Sequence, residues 1–266
     1  MIHPVNRNLL LLDIERYSDR DDVAQAYLRR MLYGVIDQVL LAAEIDATLR
    51  RRSDRGDGLI EVIDANAPLD KLLRVLLTEV PAQLRAVNRL ASSSAQIRLR
   101  GVLATGYVDL DELGGEVGSD LNHACRLLDG EVLRAALRES ADDFALCVSE
   151  RVHEAIVRHH HLGIPAERFN GVTVPSKNGP LRAWLCGPLP KGGPAPETDG
   201  GSGAGTGLPA DPAPAAPAPA RTPPAAADGA APVVYDINGG QFGGTNHGIN
   251  GGTFHGDIHL GGGDRR

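Results

Sequence analysis

Two acids and an amide–guanidinium pair are the residues of this chain whose types and spacing could carry chemistry. Asp13 closes the apolar run of residues 8–13, and Asp57 sits in Arg55-Gly56-Asp57-Gly58 between two strand-like segments. If those strands are neighbours, the carboxylates converge at one edge of a sheet. Hard oxygen ligands there suit Mg²⁺, with water and substrate phosphates completing its shell. Asp is equally common at strand ends and in Asp-Gly turns, so spacing alone leaves both readings open. Asn122 and Arg126 stand at i and i+4 in residues 118–128, hence on one face of a helix. An amide beside a guanidinium suits a phosphoryl group or oxyanion in which charge develops. A solvated helix face with Arg near its C-terminus is the plainer alternative.

The elements that must position these groups follow from apolar periodicity. Residues 8–13 form a continuous apolar run ending in an acid, as a buried central strand does. Asp19-Arg20-Asp21-Asp22 then places negative charge at a helix start, and apolar residues recur at helical spacing from Val23 to about residue 44. Residues 48–53 and 59–63 alternate as two strands of a tight hairpin around Gly56 and Gly58. Pro68 opens a second long helix whose apolar face includes Leu69, Leu72, Leu73, Leu76 and Leu84. Beyond it the pattern predicts a long strand over 97–108, short helices over 118–128 and 131–137, and a strand over 144–149. A helix over 150–159 and a closing hairpin of 172–174 with 181–185 complete the domain. The order is β-α-β-β-α-β-α-β-α-β-β, which fits a ferredoxin-like α/β sandwich and its elaborations.

Composition divides the chain. Of 32 glycines and 18 prolines, more than half lie after residue 187, where no conventional core can form. A net charge of −7 argues against nucleic acid as the main partner. Three cysteines without a CxxC pair read as reduced, mostly buried thiols, which suits a cytoplasmic protein. No apolar stretch approaches the ~18 residues of a membrane span. The triplet His159-His160-His161 reads better as a cationic helix cap than as a metal tract. Cys125 reads as a small packing residue, and Arg50-Arg51-Arg52 as a solvated strand.

Taken together, these segments resemble the class III nucleotide cyclase catalytic domain over about residues 7–187. The carriers are Leu10-Leu11-Leu12-Asp13-Ile14, the hairpin Arg55-Gly56-Asp57-Gly58, the strand from Ile97 to Val108, the Gly118…Asn122…Arg126 helix, and Phe144–Glu150. The resemblance implies that Asp13 and Asp57, with the Ile14 carbonyl, bind two Mg²⁺ or Mn²⁺ ions. It implies that Asn122 orients the ribose of a nucleoside triphosphate and that Arg126 stabilises the transition state at the α-phosphate. It further implies a head-to-tail homodimer in which one protomer supplies the metal pair and the other the Asn/Arg pair. At the base-reading positions the chain departs from the family's adenylyl cyclases: Ser53 stands where they carry Lys, and Gly115 where they carry Asp or Thr. Arg51, Arg52, Arg55 and Glu116 are the neighbouring groups able to read a base instead. Lys177 matches a phosphate-contacting Lys in a looser alignment.

The expected architecture is thus a cyclase-like domain over 1–187, a disordered Pro/Ala/Gly-rich linker over 188–232, and a short Gly-rich β-forming tail over 233–266. The tail repeats with period 12: Ile237-Asn-Gly-Gly-Gln-Phe242 is echoed by Ile249-Asn-Gly-Gly-Thr-Phe254. Such a segment buries its apolar residues only by stacking copies from many chains. It resembles bacterial amyloid signalling motifs, similar in turn to the necroptosis-type motifs of animals, which recruit an effector to a partner bearing a related motif. The functional expectation is a nucleotide cyclase-like signalling protein. The alternative is a catalytically inactive cyclase-homology module that binds nucleotide or protein as an adaptor.

Overall fold

The computed structural model describes residues 3–110, 115–177 and 179–191, all within the first of two compact units, Met1–Gly203. Strand β1 (Val5–Ile14) is its centre, because Leu9 to Leu12 are apolar without interruption and can be covered on both faces. It pairs antiparallel with β3 (Gly58–Asp64) on one side and β4 (Leu99–Leu110) on the other. Strand β2 (Arg50–Asp54) adds to β3 as a hairpin. Helices α1 (Asp22–Ala42) and α2 (Leu69–Asn88) connect these strands. The order β2-β3-β1-β4 is that of a ferredoxin-like sheet.

Past β4 the sheet is elaborated. Strand β6 (Phe144–Ser149) joins β4 in parallel, followed by β8 (Leu181–Cys186) and edge strand β7 (Phe169–Val174). The two-residue β5 (Glu116–Val117) pairs with the far end of β4, making eight strands. Each face has its own core. Leu10, Leu12 and Ile14 face α1 and α2, and the short α5 (Glu150–Ala155) sends Val152 to the same side. Leu9, Leu11 and Val102 face α3 (Ser119–Leu128) and α4 (Glu131–Glu139). The strand period of two therefore sends Asp13 toward α3 and α4.

Several boundaries differ from the periodic reading for local reasons. Asp46 accepts from the Thr48 N–H at 2.8 Å and turns residues 47–49 into a 3₁₀ turn, so β2 starts at Arg50. Helix α5 ends at Ala155 and a 3₁₀ turn carries Val157–His159, followed by His160 in the left-handed region.

The basic run is not a solvated strand. Arg50 and Arg52 are mostly covered and converge on Glu61 of β3, whose side chain is fully buried, and on Asp37 of α1. Tyr33 adds a ring face to the Arg52 guanidinium. A buried carboxylate needs such partners; the charges of β2 supply them on Oε1 alone, and Oε2 accepts no hydrogen bond from the described residues. Among the described residues no helix is long and apolar enough to cross a membrane. The linker beyond Lys191 and the whole repeat, including Ile237, Phe242, Ile249 and Phe254, lie outside the described residues.

Candidate functional site

The site is assembled where β1 ends. Asp13 lies across from Gly58 on one side and from Arg100 on the other. A side chain at Gly58 would place its Cβ 2.2 Å from the Leu12 carbonyl, so only glycine lets the hairpin close against the strand. The hairpin itself turns at Gly56, at φ +83°, whose N–H donates to the Asp54 carboxylate at 2.7 Å. The Ile14 N–H donates to the Asp57 carbonyl at 2.9 Å. These contacts hold Asp57 beside Asp13, as the sequence predicted from neighbouring strands.

Arg100 contacts Asp13 as a fork, Nε to Oδ1 and Nη2 to Oδ2, each at 2.7 Å. Both side chains are nearly buried, at 9 % exposed for Asp13 and 12 % for Arg100. Burial pushes the Asp13 carboxyl up to about 6; Arg100 opposes that shift, and the charges of Asp57 and Asp129 add to it. This end of the sheet is thus carboxylate-rich around one buried guanidinium.

Helix α3 supplies the second half. Its Asp120 accepts from the Tyr107 N–H at 2.8 Å, and a Cβ on Gly106 would strike that carboxyl at 2.4 Å. Leu121, Ala124 and Leu127 then bury the helix against the sheet. The consequence is a cavity of about 380 Å³ whose walls include Asp13, Asp57, Glu116, Asn122, Cys125 and Asp129. Arg126, one turn on, does not line it. Its Nη1 lies 3.5 Å from the Ser176 hydroxyl in the β7–β8 connection, next to exposed Lys177. Cys125 is partly covered and burial raises its thiol, in keeping with a packing role.

Sequence reasoning missed two features. One is a cavity of about 620 Å³ that Asp57 also lines, where Arg16, Arg98, Arg100, Arg134 and Arg138 meet Glu15, which pairs with Arg98. The alternation Arg98-Leu99-Arg100 was a signal for paired cations on a strand, but nothing placed α4's arginines beside it. The other is that Ser53 donates its hydroxyl to Glu116 Oε1, while Arg55 Nη2 reaches Oε2 at 3.2 Å. Glu116 therefore brings a carboxylate to a place where Gly115 carries no side chain.

No protein-family model and no curated protein matches this chain. Solved structures do. The guanylyl cyclase Cya2 superposes with a TM-score of 0.51 at 15% identity, covering 72% of this chain and 96% of that one. A bacterial light-regulated adenylyl cyclase gives 0.50 at 12% identity, over 70% of this chain and 53% of that one. The fold is that of the nucleotide cyclase catalytic domains. An adenylate/guanylate cyclase/hydrolase from Silicibacter pomeroyi is also similar, at 20% identity and a TM-score of 0.48, over 71% of this chain and 99% of that one.

On this cyclase fold, whether divalent cations fit is a question of donor chemistry. Asp13 and Asp57 are hard-oxygen donors held together in a field of further carboxylates, and the Arg100 guanidinium already stands in as the neutralising cation. Among the described residues, no three His, Cys, Asp or Glu side chains group to hold a metal by themselves. Two carboxylates suit an ion that takes the rest of its shell from phosphates and water. The residues fit such an ion on one condition: Arg100 must release Asp13.

Proposed function

We propose that this chain is a nucleotide cyclase-like signalling protein that converts a nucleoside triphosphate to a cyclic nucleotide and pyrophosphate. The observation that carries the reading is Asp57 held beside Asp13 at the end of β1, with Asn122 and Arg126 one turn apart on α3, on a cyclase-type fold. Asp13, Asp57 and the Ile14 carbonyl would hold two Mg²⁺ or Mn²⁺ ions. Such ions supply Lewis acidity, favouring ionisation of the ribose 3′-hydroxyl and offsetting triphosphate charge. Asn122 orients the ribose by hydrogen bonding. Arg126 donates to the α-phosphate oxygens as charge grows on them, when the 3′-oxygen bonds to the α-phosphorus and pyrophosphate departs. Lys177, next to the Arg126–Ser176 contact, suits a further phosphate contact.

Within one chain Arg126 is turned away from the Asp13 cavity. That supports a homodimer in which each site takes its metal pair from one protomer and Asn122 and Arg126 from the other. The Gly-rich repeat around Ile237, Phe242, Ile249 and Phe254 then recruits the enzyme to a protein carrying a related motif. The Arg100 fork favours a second reading, a catalytically silent module that binds nucleotide and acts as an adaptor. Incubating the full-length protein with each of the four nucleoside triphosphates and Mn²⁺ separates the two readings. Cyclic nucleotide and pyrophosphate in equal amounts support the enzyme; saturable binding without turnover supports the adaptor.

A further inference from the structure

Arg98 stands one residue before β4 and lines the same cavity as Arg100. Its Nη2 donates to three carbonyls where α4 runs into β6: Leu137 at 2.6 Å, Ser140 at 3.0 Å and Asp142 at 3.1 Å. Its Nη1 donates to Glu15 Oε2 at 2.8 Å, one residue past the end of β1. The main chain repeats the link, because the Glu15 N–H donates to the Arg98 carbonyl at 2.9 Å. From these contacts we propose that Arg98 is a positioning residue. Through Glu15 it holds the end of β1 so that the Ile14 carbonyl stays on the Asp57 side, where a divalent cation can take it. The inference rests on the cation-binding reading above and adds a residue outside the ligands named there.

Peptide planarity sets the direction of that carbonyl. In a trans peptide the N–H and C=O point opposite ways, and none of the described peptide bonds is cis. The Glu15 N–H faces β4, so the Ile14 carbonyl faces the hairpin, the side on which the Ile14 N–H meets the Asp57 carbonyl. Local preference does not hold the chain this way. Arg16, the next residue, lies in the left-handed region at φ 56°, where a side chain crowds its own backbone. A strand that ends in so sharp a turn needs an external hold, and the mostly covered Glu15–Arg98 pair supplies one. The guanidinium is a rigid plane, so the three carbonyls that fix Nη2 also fix Nη1. Position is thus passed from the packed end of α4 to the turn after β1. Charge alone acts the other way, because a guanidinium near a cation site weakens it. As a charge and as a support Arg98 has opposite expected effects, and the sign of the change separates them.

The test is titration of the full-length protein with Mn²⁺, the free ion being measured by electron paramagnetic resonance. Arg98→Met is expected to bind Mn²⁺ about tenfold more weakly than the native protein, although it has lost a positive charge. Glu15→Asp keeps the negative charge but withdraws it from Arg98 by one methylene, and should also lose about tenfold, with its urea midpoint close to native. Combining the two changes should cost no more than about twofold beyond Arg98→Met alone, since both break one link. Unchanged or tighter Mn²⁺ binding in either single variant, or fully additive losses in the double one, overturns the positioning assignment and leaves the cation-binding reading standing. Absence of saturable Mn²⁺ binding by the native protein overturns both. Glu15→Asp leaves the carbonyl contacts of Arg98 in place, so it decides the matter even if Arg98→Met fails to fold.

Discussion

Replacing Arg100 by Met removes the guanidinium from the Asp13 carboxylate while keeping an unbranched apolar chain in its place. The pair is nearly buried and forked through both oxygens, so Asp13 would be left as an uncompensated charge. Breaking a buried pair from one side costs about 3–5 kcal/mol. The cost depends on pH, and its sign follows from the Asp13 carboxyl. In the folded native protein that group is raised from 3.8 to about 6. A raised carboxyl favours the folded state fully below 3.8, and that contribution is lost as pH climbs to about 6, amounting to about 3 kcal/mol. Arg100 lowers the group, so its loss moves the carboxyl higher still and extends the decline above pH 6. Urea unfolding of Arg100→Met should therefore show a deficit of about 3 kcal/mol at pH 8, shrinking to about 1 kcal/mol at pH 5. The double variant Asp13→Asn with Arg100→Met should recover most of the deficit and lose its pH dependence. Excess Mn²⁺ should stabilise the single variant more than the native protein, because Asp13 is then open to a cation. A deficit below about 1 kcal/mol at pH 8, or one equal at pH 5 and pH 8, would refute the view that Arg100 neutralises a buried acid.

Asp57→Asn should abolish cyclic nucleotide formation yet shift stability by less than about 0.5 kcal/mol, since Asn supports the same turn; an active variant would sink the metal assignment. Mixed Asp13→Ala and Arg126→Ala protomers should regain part of the activity that each lacks alone, measured after demonstrated subunit exchange. No rescue would argue against sites shared between protomers. A peptide of residues 233–261 should form fibres with a ~4.7 Å spacing, and Phe242→Asp with Phe254→Asp should prevent them by stacking like charges in register. Equal fibre formation by both peptides would reduce the tail to a flexible extension.

Much of the fold was legible because its central elements obey one period each. The unbroken apolar run Leu9–Leu12 could only be a strand covered on both faces, and the leucines of α2 repeat at helical spacing across its whole length. Elements set by single contacts were not legible. The two-residue β5 exists because Glu116 and Val117 meet the far end of β4, and no periodicity can announce a pair that short. Arg50 and Arg52 read as solvated because charge usually is. The decisive fact was Glu61, three strand positions before Asp64, turned into the core on the α1 side. An acid flanked on both sides by apolar residues, Ile60-Glu61-Val62, was the available signal.

The candidate site divides along the same line. Asp13 and Asp57 could be brought together from sequence, since a strand end and a following hairpin become neighbours whenever the two strands pair. Arg100 could not be assigned to Asp13 that way, because the fork depends on the register Asp13↔Arg100 between strands 87 residues apart in the chain. A slip of one residue would send Arg100 to the opposite face and leave Leu99 or Gly101 beside the carboxylate. The same holds for Glu116 and Ser53, which are 63 residues apart and meet through the β2 and β5 edges of the site. The residue types thus indicate what chemistry is available, while register decides which charge answers which. On this sheet register gives Asp13 a guanidinium and Glu116 a hydroxyl and a guanidinium. On the function proposed above, a substrate or cation entering this site would exchange those partners rather than fill bare positions, and its affinity would carry the cost of that exchange.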